Sequence, residues 1–206
     1  MSKVAIVTGG TSGLGAAIAE QLTSRGYTVV TVSRRESATV SGDASRAETV
    51  QKTIARAEQL GEIKLLVNCA GSGSFGAAGS YDEQTIRTLI DANLTSMILF
   101  CDALFRRFAE NGGTIVNVLS TAALVAKPNE SVYCAAKWGA RGYTDVLKAE
   151  AKGTKLRIIS VAPGGMDTAF WPERKANFMD AREVASVIAD AIERPVNLSS
   201  LVIERT

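Results

Sequence analysis

Short apolar runs rich in β-branched residues alternate along the chain with segments whose apolar residues recur at helical spacing. The runs that we expect to form buried strands are Val4 to Thr8, Thr28 to Ser33, Ile63 to Asn68, Thr114 to Ser120, Leu156 to Val161 and Leu198 to Ile203. Helical spacing is clearest at Leu14, Ala17, Ile18 and Leu22, at Ala47, Val50, Ile54 and Ala57, and at Val184, Val187, Ile188 and Ile192. This alternation predicts an α/β fold, a doubly wound parallel sheet with helices on both faces.

Residues that favour helix ends stand at the borders of these segments. Two segments have the form of capping boxes and two glycines stand where a left-handed helix C-terminus is favoured, namely Ser80-x-x-Glu83, Asp180-x-x-Glu183, Gly26 and Gly153. No Pro/Ser-rich linker or internal repeat divides the chain. We therefore expect a single domain over residues 1–206.

One stretch departs from the alternation. Between Arg35, at the end of the second strand, and Gly42 there are too few residues for a third strand and its own helix, because a parallel crossover needs about a dozen residues or more. We expect that helix to be missing or reduced to a turn, with Thr39-Val40 as a vestigial edge strand.

Composition narrows the function classes. The chain has 206 residues, of which 46% are hydrophobic and 21% charged, and its formal net charge is +2. These values are typical of an ordinary globular domain. So small a charge gives no strong field for nucleic acid or for an anionic membrane, and no apolar stretch of about 18 residues occurs, so we expect neither partner.

The chain has no histidine, which excludes Ser-His-Asp and Cys-His nucleophile systems and nearly every catalytic zinc site. Proton chemistry must then use Tyr, Lys or a carboxylate. The three cysteines, Cys69, Cys101 and Cys134, are far apart and odd in number, so neither a disulfide framework nor a metal cluster is expected. A reducing, cytoplasmic location fits this pattern best.

A glycine-rich turn joins the first expected strand to the first expected helix. It reads Thr8-Gly9-Gly10-Thr11-Ser12-Gly13-Leu14-Gly15, and its glycines would let a phosphate approach the N–H groups of a helix N-terminus. The spacing is TGxxxGxG, and no Gly-Lys-Ser/Thr follows, so a P-loop is excluded. The turn indicates a dinucleotide site in a Rossmann-type sheet, although such a turn can also be merely a tight connection.

The end of the second strand bears on the choice of cofactor. About 20 residues beyond the glycines, where an NAD enzyme of this fold offers a carboxylate to the ribose 2′-hydroxyl, the chain reads Ser33-Arg34-Arg35. Guanidinium groups pair with a 2′-phosphate through charge-assisted hydrogen bonds, so Arg34 and Arg35 favour NADP (NADPH). The alternative is that both arginines are simply solvated.

Four polar residues are candidates for the chemistry. Tyr133 and Lys137 are four positions apart and share one helix face, which by itself is weak evidence. Ser120 ends an expected strand, where doubly wound sheets bind ligands. Asn93 lies on the apolar side of the long helix expected from Asp82 to Ala109, where its amide needs a partner, although it could merely bond a carbonyl of its own helix.

Along essentially its whole length, the chain resembles the short-chain dehydrogenase/reductase family. The matching segments, in the family's order, are the Thr8 to Gly15 turn, Asn68-Cys69-Ala70-Gly71 with Cys69 in place of the second Asn of NNAG, the residues Asn93, Ser120, Tyr133 and Lys137, and Pro163-Gly164 with Thr168. The departures are the missing helix after Arg35 and a short stretch from Thr168 to Asp180, where the family often carries a substrate-covering lid.

The resemblance implies roles for these residues. Asn93, Ser120, Tyr133 and Lys137 would form the catalytic tetrad. Lys137 would also hold the nicotinamide ribose, Asn93 would hold a water that returns protons to Lys137, Asp43 would meet the adenine amino group, and Thr168 would meet the nicotinamide carboxamide. Cofactor contacts are expected from Gly9, Thr11, Ser12, Gly13, Leu14, Gly15, Arg34, Arg35, Asp43, Asn68, Ala70, Gly71, Tyr133, Lys137, Pro163, Gly164 and Thr168.

These residues predict an NADP-dependent oxidoreductase that reduces a ketone or aldehyde to an alcohol. Tyr133 would donate the proton and Ser120 would polarise the carbonyl oxygen. Lowering the phenol pKa by about three units requires roughly 4 kcal/mol, which Lys137 and the cationic nicotinamide would supply. An NAD-dependent alcohol dehydrogenase and a non-catalytic NADP-binding sensor are the alternatives.

Apolar residues in the loops and on two long helices predict further surfaces. Substrate walls are expected at 72–76, 122–125 and 165–171, where Phe170 and Trp171 would cover an apolar or aromatic substrate or merely anchor loops. The helices from Asp82 to Ala109 and from Ser131 to Lys152 carry apolar residues on more than one face, among them Met97, Phe100, Phe105, Trp138 and Tyr143. With the family resemblance, they predict a homodimer or homotetramer.

Overall fold

The computed structural model describes residues 2–171, 173 and 177–205. Its strands are β1 Lys3–Thr8, β2 Thr28–Ser33, β3 Val40–Ser41, β4 Glu62–Asn68, β5 Gly113–Val118, β6 Leu156–Pro163 and β7 Ser200–Ile203. Its helices are α1 Gly13–Ser24, α2 Ala47–Leu60, α3 Glu83–Ile90, α4 Ser96–Asn111, α5 Ser131–Glu150 and α6 Ala181–Glu193. Within the described residues the strands form a 7-stranded parallel sheet in the order β3-β2-β1-β4-β5-β6-β7.

This topology confirms the predicted doubly wound sheet in a single domain. Alternate residues of β1 face opposite sides: Val4 and Ile6 pack towards α2, α4 and α5, whereas Ala5 and Val7 pack towards α1 and α6. All four side chains are fully buried. Strands covered on both faces read as continuous apolar runs, which explains why the sequence pattern marks them so clearly.

The segment after β2 is as short as the sequence predicts. Among the described residues no helix lies between β2 and β3, and β3 pairs with β2 through Val32 with Val40 and Ser33 with Ser41. The expected edge strand at Thr39-Val40 is thus present, one residue later. Thr39 instead bonds across to Thr31, whose hydroxyl accepts from the Thr39 N–H at 3.0 Å.

The structure corrects one of the predicted helix starts. Asp82, not Ser80, caps α3, because an Asp82 carboxylate oxygen accepts a hydrogen bond from the Thr85 N–H at 2.7 Å. The Ser80 hydroxyl instead donates to the Ala77 carbonyl at 2.8 Å. At α6, the carboxylate of Asp180 caps the helix as expected.

Other predicted boundaries need smaller changes. Gly26 and Gly153 adopt positive φ angles of 83° and 78°, as expected at helix C-termini. The predicted strand Thr114 to Ser120 ends at Val118, because Ser120 caps a short 3₁₀ turn, Thr121–Ala123. The long helix expected from Asp82 is one continuous helical stretch, but a π-helical turn at Asp91–Thr95 separates α3 from α4.

This long helical stretch also corrects an expectation about hydropathy. Within Glu83–Asn111 an 18-residue window has a mean hydropathy of 1.4, enough by length and composition alone for a membrane span. The expectation that no such stretch occurs is therefore wrong. Four of its apolar side chains, Phe100, Cys101, Leu104 and Phe108, are fully buried against the sheet. Packing in the core thus accounts for part of this hydropathy.

Candidate active site

A cleft of about 710 Å³ opens at the edge of the sheet where β1, β4, β5 and β6 end. This is the edge where doubly wound sheets bind ligands, on both sides of the point at which the strand order reverses. From the predicted site it is lined by Gly9, Ser12, Gly13, Leu14, Gly15, Arg35, Ala70, Gly71, Asn93, Ser120, Tyr133, Lys137, Pro163, Gly164 and Thr168. Thr11, Arg34, Asp43 and Asn68 are not among the lining residues.

The glycine turn forms one end of the cleft. Gly9 and Gly13 adopt positive φ angles of 67° and 50°, and a Cβ atom at Gly15 would fall on the Gly9 carbonyl oxygen. Ser12 is the N-cap of α1, but its side chain makes no capping hydrogen bond, and the first turn holds no acidic residue. No side chain therefore caps the first N–H groups of α1, which can donate to an anion, and the turn fits a dinucleotide pyrophosphate.

Two further chain segments close on this turn. The Thr8 hydroxyl oxygen accepts hydrogen bonds from the N–H groups of Cys69 and Ala70, both at 3.0 Å, and so ties the end of β1 to the loop after β4. On the other side, a Cβ atom at Gly13 would lie 3.4 Å from Thr168. The loops after β4 and β6 are thereby brought to the two sides of the helix N-terminus.

The two predicted arginines lie at the end of β2, and they differ in placement. Arg35 lines the cleft, and its guanidinium donates to the Thr11 carbonyl at 3.3 Å. Arg34 is exposed, and its charge acts on Asp43. Burial raises the pKa of Asp43, but hydrogen bonds from Ser45 outweigh that effect and leave it lowered, with help from the charges of Arg46 and Arg34.

Asn68 is placed differently from what the resemblance implies. Its side chain is buried, and its amide donates to the Asn117 carbonyl oxygen at 2.9 Å and to the Cys101 sulfur at 3.2 Å. The Asn117 amide in turn donates to the Thr144 hydroxyl at 2.9 Å. Asn68 therefore belongs to a buried polar network between the sheet and α5, and not to the wall of the cleft.

Tyr133 and Ser120 meet inside the cleft. Tyr133 is 7% exposed in the first turn of α5, and burial raises the pKa of its phenol, whereas a hydrogen bond with the Ser120 hydroxyl opposes that rise. The Ser120 oxygen also accepts from the Ala122 N–H at 3.1 Å. The lowered phenol pKa expected from the sequence is therefore not produced by the protein's own residues.

Lys137 lies one helical turn beyond Tyr133, with its Nζ 5.8 Å from the centre of the phenol ring. The ammonium donates to the Val118 carbonyl at 3.2 Å and is otherwise enclosed, at 4% exposure. Burial lowers the pKa of Lys137 to about 8. Burial also raises the pKa of Cys69 to about 12, so this thiol stays protonated at neutral pH.

Asn93 lies in the π-helical turn between α3 and α4. Its amide donates to the Leu89 carbonyl at 2.9 Å and to the Ser72 carbonyl at 2.8 Å. Asn93 therefore bonds a carbonyl of its own helical stretch and also the loop after β4. Its side-chain oxygen and the Ser72 hydroxyl have no hydrogen-bond partner among the described residues. A Cβ atom at Gly71 would lie 2.8 Å from that Asn93 oxygen and 3.9 Å from Lys137 Nζ, so both groups face the cleft.

Aromatic rings enclose the remaining side of the cleft. Phe75, Phe170, Trp171 and Phe178 pack in sequence beside Tyr133, with neighbouring ring centres 5.0 to 6.0 Å apart. We call these five rings, Tyr133 included, the aromatic cluster. The expected walls contain Phe75, Phe170 and Trp171, but Phe178 was missed, since it lies in the stretch of Thr168 to Asp180 that has no regular pattern. Pro172 and residues 174–176 of that stretch lie outside the described residues.

The site thus combines an anion-binding helix end, a buried ammonium and two hydroxyls. The glycine cradle and the free oxygens of Asn93 and Ser72 fit an extended polar ligand such as a nicotinamide dinucleotide. The hydroxyls of Tyr133 and Ser120 form a donor pair for one oxygen atom. No group of three or more metal-ligating side chains occurs in the described part of the chain.

Comparison with known proteins agrees with this geometry. The family model described as short chain dehydrogenase matches residues 3–178. The chain is 34% identical over 179 residues to D-threitol dehydrogenase of Mycolicibacterium smegmatis, covering 78% of this chain and 69% of that protein. It is 31% identical over 183 residues to carbonyl reductase family member 4 of Danio rerio, and the match covers 82% of this chain and 77% of that protein.

A solved structure extends the likeness to nearly the whole fold. The short-chain dehydrogenase/reductase from Vibrio parahaemolyticus superposes with a TM-score of 0.87 at 32% sequence identity, covering 98% of this chain and 96% of that one. Sequence motifs, topology and the arrangement of the cleft therefore agree. The chain belongs to the short-chain dehydrogenase/reductase family of oxidoreductases, which bind a nicotinamide cofactor.

Proposed function

We propose that the protein is an NADPH-dependent reductase that converts a ketone or aldehyde into an alcohol. The observation that carries this proposal is that Tyr133, Ser120 and the buried Lys137 line one cleft that begins at the glycine turn, with Lys137 Nζ 5.8 Å from the centre of the phenol ring. A positioned general acid, a second donor to the same oxygen and a nearby cation are what reduction of a carbonyl requires.

When bound, the nicotinamide cofactor supplies the hydride. The protein's residues act on the carbonyl oxygen: Ser120 donates a hydrogen bond to it, and the Tyr133 hydroxyl donates the proton that completes the alcohol. The ammonium of Lys137, held by the Val118 carbonyl, stabilises the phenolate that remains. Burial of Tyr133 and Lys137, with Ser120 partly buried, strengthens these interactions, because little water competes for them.

Two further residues complete the proposed site. Lys137 Nζ has unused donors, and these would hold the hydroxyls of the cofactor's nicotinamide ribose. The free oxygen of Asn93 faces the same space and would accept a hydrogen bond from a water that returns protons to Lys137. Its amide is already fixed by the Ser72 and Leu89 carbonyls, so the oxygen is the only group of Asn93 that points to a ligand.

NADPH is favoured over NADH by the charges at the end of β2. Arg35 lines the cleft beside Thr11, Arg34 is adjacent and exposed, and no carboxylate occurs in Ser33-Arg34-Arg35, the stretch where NAD enzymes have one. The carboxylate of Asp43, on which the charge of Arg34 acts, is engaged by the N–H and hydroxyl of Ser45 at 2.9 and 2.8 Å. A 2′-phosphate would meet two guanidinium groups there.

The two other candidate functions differ in testable ways. An NAD-dependent alcohol dehydrogenase would use the same tetrad to oxidise an alcohol. The similarity to D-threitol dehydrogenase favours this oxidative direction. A sensor would bind NADPH without turnover. The assembled tetrad argues against a sensor, because a protein that only binds has no need of a buried proton donor next to a buried ammonium.

We also propose that the protein forms a homodimer or homotetramer through α4 and α5. Of the five apolar residues named on the several faces of these helices, Met97 and Phe100 are buried in the core. Phe105 and Tyr143 are half-buried. Trp138 and Val146 on α5 remain 50% and 56% exposed, which leaves an apolar surface for a second copy.

Replacing Tyr133 with Phe should abolish turnover and leave NADPH affinity nearly unchanged, because only the proton donor is lost. We expect the single-turnover rate to fall by about 10²–10⁴. Lys137→Ala should weaken both the rate and NADPH binding. The matched control is Tyr143→Phe on the same helix, whose hydroxyl reaches only the Ile98 carbonyl at 3.4 Å. More than about a tenth of the rate in Tyr133→Phe would contradict a general acid.

Arg35→Gln and Arg34→Gln should each raise the Michaelis constant for NADPH, because a charge-assisted hydrogen bond to phosphate is worth about 1.5–3 kcal/mol. We expect about a tenfold change or more for NADPH and little change for NADH. Arg56→Gln, an exposed arginine on α2, is the control. Equal affinity of the native protein for NADH and NADPH in a fluorescence titration would disprove the preference.

The pKa of Lys137 gives a stability prediction for the cofactor-free protein. In the unfolded chain Lys137 titrates near 10.5 and in the folded protein at about 8, so burying the charged form costs about 3 kcal/mol. That cost is present in full well below pH 8 and is relieved as the pH rises through 8 towards 10.5, above which both states become neutral. The free-energy advantage of Lys137→Met over wild type should therefore shrink from pH 7 to pH 10.5 in urea unfolding. A difference that is independent of pH would contradict it.

Light scattering at micromolar concentration should report a dimer or tetramer. Val146→Glu should shift the mass towards the monomer, because the substitution places a charge in the proposed apolar contact. Gln51→Glu, an exposed position on α2, should leave the mass unchanged. A monomeric wild-type protein would refute the assembly.

A further inference from the structure

The aromatic cluster is packed as a continuous wall beside the reacting groups. Phe170 lies 5.8 Å from the Tyr133 ring and 5.4 Å from Trp171, which in turn lies 5.4 Å from Phe178. Phe170, Trp171 and Phe178 line the cleft. Phe75 stands behind them, where its ring stacks on Trp171 at 5.0 Å with the planes 20° apart. Phe75 thereby fixes the orientation of Trp171 towards the cleft.

Glycines on both sides make room for these rings. A Cβ atom at Gly73 would lie 2.7 Å from the tips of both Phe75 and Phe170, and one at Gly165 would lie 2.6 Å from the Phe178 ring. The rings are therefore packed directly on the backbone of the loops after β4 and β6. Between these loops a second cavity of about 430 Å³, lined by the stretches 73–75 and 169–171, adjoins the cleft. Rings seated in this way have few alternative positions.

The described charged side chains at this end of the cleft contact neighbouring residues. Lys127 donates to the Thr121 hydroxyl at 3.2 Å and acts on Glu130, which lines the same wall. Arg205 lies 5.6 Å over the Phe178 ring and donates to the Asn177 carbonyl at 3.4 Å, with Glu204 beside it. Among the described residues that line this end, Lys127 and Arg205 are matched in number by Glu130 and Glu204, so this part of the lining carries no net charge.

Resting on the proposed reductase activity, we infer that the substrate carries a flat aromatic or conjugated group on its carbonyl carbon, and that Phe170 and Trp171 select it. A flat ring meets neighbouring rings edge-to-face or offset, an interaction that a saturated ring of equal size does not make. The wall begins at Tyr133 itself, so a group attached directly to the carbonyl carbon reaches it. Phe75 acts as a positioning residue, since it contacts Trp171 and does not line the cleft.

The test uses Trp138→Phe protein as the parent, because the chain has 2 tryptophans and this change leaves Trp171 as the single reporter. Trp138 lies on the proposed subunit contact and donates to the Ala122 carbonyl at 2.8 Å, so every variant is compared with this parent and not with the wild type. Two variants are made in the parent, one with Trp171→Leu and one with Gly73→Ala. The new Cβ at position 73 would displace the rings of Phe75 and Phe170. Gly142→Ala is the matched control, since a Cβ there meets nothing within 4 Å. For each protein kcat and KM are measured with NADPH for acetophenone and for cyclohexyl methyl ketone.

The readout is the ratio of kcat/KM for the two ketones, compared between proteins, so that their different intrinsic reactivities cancel. We expect the ratio to fall by about threefold to tenfold in Trp171→Leu and Gly73→Ala, the range that one aromatic pair spans, chiefly through KM. NADPH affinity and the ratio in Gly142→Ala should stay at the parent values. A ratio that is unchanged in both variants overturns the inference.

A binding measurement separates this inference from the reductase activity. With cofactor present, quenching of Trp171 fluorescence in the parent is titrated with benzamide and with cyclohexanecarboxamide, neither of which is reduced. We expect benzamide to bind at least about threefold more tightly. If the parent reduces neither ketone, the reductase proposal fails and this titration alone decides: preference for benzamide upholds the aromatic site, and equal binding of both amides overturns it.

Discussion

The whole site depends on how closely the first turn of α1 approaches the strand ends beneath it. A side chain at Gly15 would collide with the Gly9 carbonyl, and one at Gly10 would lie 2.8 Å from Thr31. Without side chains there, α1 begins directly against β1 and β2, and its N–H groups face the cleft. The Thr8 hydroxyl extends the same contact to the loop after β4. The cofactor end and the tetrad end of the cleft are both positioned from this contact.

Desolvation sets the electrostatic character of the other end. Burial raises the pKa of Tyr133 and lowers that of Lys137 to about 8, so both residues are shifted towards their neutral forms. Burial therefore costs free energy whenever Tyr133 or Lys137 is charged, and an opposite charge that develops beside the charged form offsets this cost. This is how a preorganised site stabilises a transition state more than a ground state. Such energy must be offset by the packing of α5 and the sheet.

Much of this was predictable from the sequence, because buried parallel strands and crossover helices leave strong periodicity. The order of elements and the absent helix after Arg35 follow from that pattern, whereas the grouping of Ser120, Tyr133 and Lys137 was implied by the resemblance to the family. The aromatic cluster does not, since Phe178 reaches the cleft through a loop without periodicity. Asn68 was assigned to the cofactor by resemblance, yet its amide turns inward to Asn117. The side of a strand end on which a polar residue lies depends on its partner, which a single sequence does not reveal.

The inward turn of Asn68 has a consequence for strand pairing. Asn68 and Asn117 are direct register partners on β4 and β5, and each side chain is hydrogen-bonded within the largely apolar core, Asn117 also to Thr144. Apolar strands such as these can slide along one another at little cost, because valine and leucine pack almost equally well in several alignments. A slip of β4 by one residue would turn the Asn68 side chain to the other face of the sheet, away from its partners Asn117 and Cys101, at a cost of several kcal/mol. The asparagine pair therefore fixes the register of β4 and β5. This register sets the position of Ser120, after β5, relative to the loop after β4.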